Sequence, residues 1–529
     1  MSSDQQEPEP TTHRRARRAA PRRRAGRPRR TRAVLGLTLL GSVIPGTAYL
    51  FAGRKKLGAA VLTISVSLLA VAGYLGLTQR KRMLELAVAP DQLRYVTFGL
   101  VLLGALWILV IITSHRALRS GVATPGSRVG GALLVGLLSF AVAVPTALGV
   151  QTARTQQDLV QTVFAGGNSK SATRPTIKNK KDPWAGKPRL NVLMLGADDG
   201  ADRDGVRTDT VIVASIDTVT GNVSLISLPR KLTFMPFPEG TKLHDAYPDG
   251  FGKEGISLQE RLEWMLDAIY KNVPEQQGDD IVGPSDNVGA DILKLSVGEA
   301  IGLKLDYYVQ INLAGFTQLV NALGGITVNI NYPIPVGGSD DDKRPPNYYL
   351  KPAQNKHLWG LEALWYARGR YGIKNPDDAR SARQRCAIHA IAQAATPPNL
   401  LKSYTSLAKV GKNMLRTDIP QELLPAFLEL ALKIKSAKVS EVPLDGHALK
   451  FAYLHPDYDG LRATVAAALA AKPVSTPTTP ATSGTPKPTG KPTPGKPTSK
   501  PTTSKPSTPT SAAPADLANA CEYHPVTTP

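Results

Sequence analysis

Apolar positions fall into two regimes along this chain. Between residues 33 and 151 they form four runs, at about 34–52, 57–77, 95–114 and 129–151, each near the roughly 20 residues that cross a bilayer. Beyond residue 188 the runs shorten and begin to alternate with polar residues. Leu190-Asn191-Val192-Leu193-Met194-Leu195, residues 211–216 and residues 223–228 are Val/Ile/Leu-rich and bounded by Gly, Asp or Pro, which predicts three strands. Asp217-Thr218-Val219-Thr220-Gly221-Asn222 reads as the hairpin turn between the last two. An amphipathic helix is predicted near 258–270, a Gly/Asp-rich loop around 275–289, and a second helix near 292–302. A strand at 307–313, a helix at 316–323 and a strand at 326–330 follow. Residues 331–357 read as a long polar loop, longer than most structural connections. Helices at 361–370 and from Asp377 onward, near 399–414, 422–435 and 459–471, and a strand near 439–444 complete the pattern. The expected fold class is α/β, a mixed central sheet covered by helices, preceded by a helical transmembrane region.

Composition divides the chain along the same lines. Residues 1–32 hold 11 arginines against three acids and no apolar pattern, which predicts a disordered basic cytoplasmic tail. Residues 33–151 are the membrane region, 152–188 a polar linker, 189–472 the folded domain, and 473–529 a Pro/Thr/Lys-rich disordered tail. The formal net charge is +22, yet residues 152–471 carry 37 basic against 35 acidic side chains. The excess therefore flanks the apolar runs, where it sets membrane orientation, and no basic face supports nucleic-acid binding. Four crossings would return the chain to the cytoplasm. Pro45-Gly46 interrupts the first run and Arg54-Lys55-Lys56 closes it, so a re-entrant first segment with three crossings is expected. That layout leaves Arg80-Lys81-Arg82 outside and the domain extracytoplasmic, facing the cell wall.

Charged residues gather where strands end: Asp198 and Asp199 after the first, Asp209 before the second, Arg230 after the third. Strand ends are where α/β sheets bind ligands, and two carboxylates with an arginine suit a divalent cation and a phosphate. Read alone, they are equally ordinary loop residues. A second cluster holds Arg368 and Arg370 at a helix end, then Arg380, Arg383 and Gln384. Arg380 and Arg383 are three apart and share a helix face, and guanidinium forks suit the oxygens of a pyrophosphate. No zinc spacing, P-loop or nucleophile elbow is present.

Taken together, these pieces resemble the LytR-CpsA-Psr family of cell-envelope phosphotransferases. The resemblance rests on Gly196-Ala197-Asp198, Arg207-Thr208-Asp209-Thr210, Ser227-Leu228-Pro229-Arg230 and residues 242–247. It continues through Leu323-Gly324-Gly325-Ile326-Thr327-Val328, Gly360-Leu361-Glu362-Ala363-Leu364, Arg368-Gly369-Arg370, residues 377–384 and Arg416-Thr417-Asp418-Ile419-Pro420. It implies transfer of a glycopolymer, with its phosphate, from a polyprenyl-pyrophosphate carrier to peptidoglycan. Asp198 and Asp209 would hold Mg²⁺. Arg230, Arg368, Arg370, Arg380, Arg383 and Gln384 would bind the pyrophosphate, with Arg230, Arg368 and Arg370 catalytic. A hydrolase of polyprenyl-linked pyrophosphates and a non-catalytic scaffold binding lipid-linked glycans are the alternatives.

The departures are specific. The family usually has Asp where Lys231 stands and Asn where His244 stands, and the arginine often found after the metal-binding Asp is replaced by Gly200, with Arg203 nearby. The general base is therefore left unassigned. An extracytoplasmic location permits a disulfide between Cys386 and Cys521, which their count alone leaves open.

Overall fold

The computed structural model describes residues 31–79, 86, 89–119, 125–166, 169–177, 179, 182–198, 207–338, 343–395, 414–442, 444, 454–470 and 515–525. The basic tail to residue 30, the Arg80-Lys81-Arg82 loop, Asp199, Arg203, most of the helix expected near 399–414 and the stretch 473–514 lie outside these residues.

The first apolar run is two helices, α1 (Thr31–Val43) and α2 (Thr47–Phe51), parted at Pro45-Gly46. Gly46 has φ 105°, and a Cβ there would lie 2.5 Å from the backbone nitrogen of Leu62. Only glycine lets this turn press against the next helix, α3 (Lys55–Thr78). α4 (Pro90–Leu118) and α5 (Pro125–Val163) follow. Among the described residues three helices are long and apolar enough to cross a membrane: Lys55–Thr78, Gln92–Leu118 and Pro125–Val163. The chain is a multi-pass membrane protein. Residues 152–163, expected to open a polar linker, are instead the last turns of α5; a helix already nucleated propagates at little cost, and Ala153, Arg154, Gln156, Gln157, Leu159 and Gln161 favour it.

The extracytoplasmic domain is built on a mixed seven-stranded sheet in the order β11-β10-β3-β2-β1-β4-β9. β1 (Arg189–Asp198) pairs antiparallel with β2 (Arg207–Asp217) and parallel with β4 (Tyr307–Asn312). β2 pairs antiparallel with β3 (Val223–Leu228), and β4 with β9 (Leu415–Thr417). β10 (Val439–Val442) runs parallel to β3, and β11 (Ala515–Asp516) closes that edge. Both sheet faces are covered, so the central strands are nearly continuous apolar runs. Leu193, Leu195, Val211, Val213, Ile226 and Leu228 pack on one face against the later helices α8 (Leu266–Gln277), α9 (Val288–Ile301) and α14 (Tyr458–Ala470). Before α8 come two short helices, α6 (Lys242–Ala246) and α7 (Leu258–Arg261). The single helix expected at 258–270 is thus broken, because Met265 is extended (φ −105°, ψ 164°) and bridges to Thr233. The opposite face, with Val192, Ile212 and Leu225, meets α12 (Pro376–Ala394) and α13 (Leu424–Ile434) through Ile388, Phe427 and Leu430. α10 (Leu313–Ala322) and α11 (Gly360–Arg368) pack against each other on that side.

The region 331–357 is not one loop. β6 (Ile334–Val336) pairs with β7 (Tyr348–Leu350), and β8 (Ala353–Leu358) pairs with β5 (Ile326–Ile330). These ribbons are short and half-exposed, so they carry little apolar signal.

The described residues that follow α5 are bound to the domain. Ala165 N donates to Ile419 O (2.9 Å), and Ser171 Oγ (2.9 Å) and Ala172 N (3.0 Å) donate to buried Asp291. Nearby, Lys294 is 2 % exposed and Asp418 3 %, and their charges meet at 2.6 Å. A buried ammonium is tolerable only when so paired, and Lys294 also donates to Asp306 O (2.8 Å).

The far end of the chain also folds back, against the expectation of a disordered tail through 529. β11 and α15 (Leu517–Ala520) lie against β10 and α12, and Cys521 is disulfide-bonded to Cys386 across a separation of 135 residues. Asn329 Nδ2 donates to Cys521 O (3.0 Å). Opening so long a loop should cost roughly 2–5 kcal/mol. Cys521→Ser should lower the urea midpoint accordingly, and wild type in reductant should fall to the variant's value; an unchanged midpoint would mean that non-covalent contacts alone hold the segment.

Candidate active site

The site lies at the β1–β2 end of the sheet, where local backbone geometry aims the carboxylates. β1 and β2 slip register between Gly196 and Ala197. A Cβ on Gly196 would sit 2.9 Å from Thr210 Cβ, so glycine permits the close approach and the bulge then redirects Asp198. Asp209 stands on β2, and Arg230 follows β3 through Pro229. α11 ends at Arg368, and α12 begins with Pro376 at its first turn and Asp377 beside it.

These elements bring the two clusters together. Arg230 Nη1 donates to Asp209 Oδ1 (2.6 Å), and Arg368 Nη2 donates to Asp198 Oδ2 (2.8 Å) while lying 3.9 Å from Asp209 Oδ2. Arg380 Nη2 and Arg370 Nη1 lie 3.2 and 3.6 Å from Asp377 Oδ1. Gln384 Nε2 donates to Thr210 Oγ1 (2.8 Å). Burial opposes the charge on Asp209, but the guanidiniums of Arg230, Arg380, Arg368 and Arg370 outweigh it and hold the carboxyl below its usual range. Four arginines therefore act on one carboxylate. Burial, with Arg230 pressing from beside it, pushes Arg380 down to about 10. Crowded, desolvated cations of this kind favour an added anion.

Arg383 is not brought into this cluster. It is 5 % exposed, and its Nη atoms donate to the carbonyls of Tyr366 (2.7 Å) and Gly369. It thereby fixes the end of α11 and positions Arg368 and Arg370. Lys231 is drawn to Asp377 (3.2 Å), so the reversed charge is absorbed at the rim. His244 sits on α6, beside Thr241 and Leu243, which line a different cavity of about 700 Å³.

Asp267 was not foreseen from sequence. It occupies the first turn of α8, is 6 % exposed, and has Oδ2 3.6 Å from Arg230 Nη1 while Oδ1 has no hydrogen-bond partner among the described residues. Burial pushes its carboxyl up to about 6, against the pull of Arg230 and Arg207. The only sequence sign was an acid in a helix's first turn, which ordinarily marks nothing more than a dipole contact.

Between sheet and helices an apolar cavity of about 280 Å³ runs from this cluster. Met194, Val309, Phe316, Leu319, Leu364 and Ile388 form its walls, and Asp209, Arg368, Arg380 and Gln384 stand at its polar end. A group with a charged head and a long apolar tail matches that division.

The donors also fit a hard cation. Mg²⁺ takes one or two carboxylates, with waters and phosphate oxygens completing its shell, and Asp198 and Asp209 approach one guanidinium nitrogen from two sides. Two carboxylate oxygens are hard donors, the kind Mg²⁺ takes rather than the nitrogen and sulfur of a closed zinc site.

Comparison with known proteins decides the family, because the model of the LytR_cpsA_psr family matches residues 155–466. The chain belongs to that family. The match runs through every strand of the sheet but β11 and through both charged clusters, and membership supports a catalytic, transferase-like role. Similar proteins include a polyisoprenyl-teichoic acid–peptidoglycan teichoic acid transferase, TagU, of Enterococcus faecalis. It is 29 % identical over 277 residues, which is 51 % of this chain and 72 % of that protein. Biofilm regulatory protein A of Streptococcus mutans is 25 % identical over 326 residues, 60 % of this chain and 71 % of the relative. Among solved structures, TagV of B. subtilis is 22 % identical, covering 53 % of this chain and 96 % of that one, with a TM-score of 0.36.

The raised Asp267 carboxyl has a measurable consequence. The folded protein keeps that proton to about pH 6, whereas the unfolded chain loses it near 3.8. Stability should therefore fall as pH rises from about 4 to 6. Asp267→Asn removes this contribution, so the variant should be more stable than wild type above pH 6, by about 2 kcal/mol or less. The difference should vanish below pH 4. Denaturant midpoints across pH 3.5–8 test this, and a variant less stable at pH 8 would show that the carboxylate's attraction to Arg230 outweighs its burial.

Proposed function

We propose that this protein transfers a glycopolymer, with its attached phosphate, from a polyprenyl-pyrophosphate carrier to peptidoglycan. The reading is carried by one observation: Arg230 and Arg368 reach Asp209 (2.6 and 3.9 Å), and Asp209, Arg368 and Arg380 stand at the polar end of an apolar cavity. A pyrophosphate would lie among the arginines and its polyprenyl tail along the cavity. The names of relatives such as TagU support the same substrate class.

In this reading Arg230 and Arg368 give up their carboxylates and turn to phosphate oxygens, while Arg370 and Arg380 neutralise charge that builds on the leaving phosphate. Bound Mg²⁺, held by Asp198 and Asp209, would polarise phosphoryl oxygens as a Lewis acid. Arg383 keeps the end of α11 in place throughout. A peptidoglycan hydroxyl attacks the phosphorus that bears the glycan. An oxygen–phosphorus bond forms there, and the bridging oxygen leaves with its electron pair as polyprenyl monophosphate. The hydroxyl proton leaves with solvent or with that phosphate. The product is a phosphodiester. Gln384, tied to Thr210, borders the phosphate without supplying charge.

The test uses the full chain in lipid vesicles with Mg²⁺, a polyprenyl-pyrophosphate glycan and a peptidoglycan oligomer, read by mass spectrometry. The expected product is an acceptor carrying sugar through a phosphodiester, lost with EDTA. Arg368→Ala and Asp209→Ala should each lower kcat by about 100-fold or more. Carrier cleavage without transfer would favour the hydrolase, and unimpaired variants would displace the site.

A further inference from the structure

A carboxylate at position 267 is costly to bury. Its neighbours Leu266, Ala268 and Ile269 are fully buried, and Asp267 Oδ1 has no hydrogen-bond partner among the described residues. If packing alone decided the position, an apolar side chain would suit it better. A residue that breaks a local rule without a structural gain marks a site used for something else. The backbone, moreover, fixes this acid beside Arg230. Asp267 N donates to Arg230 O (3.1 Å), Leu266 N donates to Leu232 O (2.8 Å), and Met265 bridges to Thr233. These bonds stitch the first turn of α8 to the segment that follows Pro229, so the acid and the arginine stay neighbours whichever way their side chains turn.

One nitrogen stands between two acids. Arg230 Nη1 lies 2.6 Å from Asp209 Oδ1 and 3.6 Å from Asp267 Oδ2. The longer distance is an ion pair beyond hydrogen-bond range, and closing it to the roughly 2.8 Å of a charge-assisted bond takes about 1 Å of movement. Arg230 Nε is also buried with no hydrogen-bond partner among the described residues. A guanidinium carries donors on all three nitrogens, so Arg230 can hold an acid along one edge and a phosphate along another. Arg207, a second cation that acts on Asp267, is already engaged by Glu263 and by Leu262 O (3.3 Å). Arg230 is therefore the cation placed to move.

Arg368 is placed differently. Its Nη2 approaches Asp198 at 2.8 Å and Asp209 at 3.9 Å, the two acids that would hold the cation. A cation drawing both would take from Arg368 both carboxylate partners that it has among the described residues. Arg230 would lose one and keep the other. Its move from Asp209 to Asp267 leaves every charge paired, so the desolvation cost of freeing a carboxylate in this site is avoided. Cation binding and the Arg230–Asp267 contact are then coupled, each favouring the other.

We propose that Asp267 is the alternate partner of Arg230: when Asp209 turns to the cation, Arg230 closes onto Asp267 and stays in the site to meet the pyrophosphate. The cation and the pyrophosphate in this step rest on the proposed function. Asp267 is a positioning residue, acting through Arg230 and touching neither cation nor substrate. A double-mutant cycle on cation binding tests this without turnover. The full chain in detergent micelles at neutral pH is titrated with Mn²⁺ in place of Mg²⁺, and free Mn²⁺ is read by electron paramagnetic resonance. Asp209→Asn should remove the site. Asp267→Asn, which takes away a buried charge and should fold, is expected to weaken binding about tenfold, the worth of one charged hydrogen bond. In an Arg230→Gln background the same change should have little effect, because no guanidinium is left for Asp267 to receive. Equal weakening in both backgrounds would show Asp267 acting only as a nearby negative charge, and no weakening in either would show no action at all; each result overturns the proposal. Binding abolished by Asp209→Asn but untouched by Asp267→Asn would remove the alternate partner and leave the proposed function standing. Binding that survives Asp209→Asn would instead remove the cation assignment of the proposed function, and this inference with it.

Discussion

The balance between carboxylates and guanidiniums around Asp209 governs the rest of the domain. Burial pushes this carboxyl up, and the neighbouring arginines, Arg230 foremost, more than offset it. The same arginines are partly desolvated, and burial first, then the neighbouring Arg230, lowers the affinity of Arg380 for its proton. The cluster is thus stable through its acids and receptive to more negative charge. A carboxylate already bonded to an arginine can exchange that partner for a metal, and the released guanidinium can bind a phosphate. Both exchanges preserve local neutrality, which keeps their cost low in a partly desolvated site.

The scaffold makes this possible by fixing the backbone and leaving the charged tips free to change partners. The bulge at Gly196 aims Asp198, the turn through Pro229 delivers Arg230, and buried Arg383 pins the carbonyls that end α11. Cys386 lies on α12 only two residues beyond Gln384, so the disulfide to Cys521 steadies the helix that carries Arg380 and Gln384. Ala165 is held by Ile419 and Ser171 by Asp291.

Much of this was legible in the sequence, for physical reasons. The strands β1 to β3 are buried on both faces and read as dense Val, Leu and Ile runs. Asp198, Asp209, Arg230 and Arg368 stand at element ends, where charge is easiest to interpret. The short ribbons β6 to β8 were missed because β6 and β7 have three residues each and β8 is largely exposed, so none carries much pattern. Asp267 was hidden because its importance comes from α8 packing beside Arg230, a contact between residues 37 apart. Arg383 shares spacing and face with Arg380, and only the position of the end of α11 separates an anion ligand from a backbone clamp. The pairing of Cys386 with Cys521 depended on the tail folding back over a long polar stretch, which composition does not reveal.

The most direct measurement is a structure of the domain in its membrane-anchored chain with a polyprenyl pyrophosphate and Mg²⁺ bound. The account predicts the cation between Asp198 and Asp209, Arg368 and Arg230 turned onto phosphate oxygens, and Arg383 unmoved on the carbonyls of Tyr366 and Gly369. A pyrophosphate bound away from these arginines, with the Arg368–Asp198 and Arg230–Asp209 pairs intact, would contradict it.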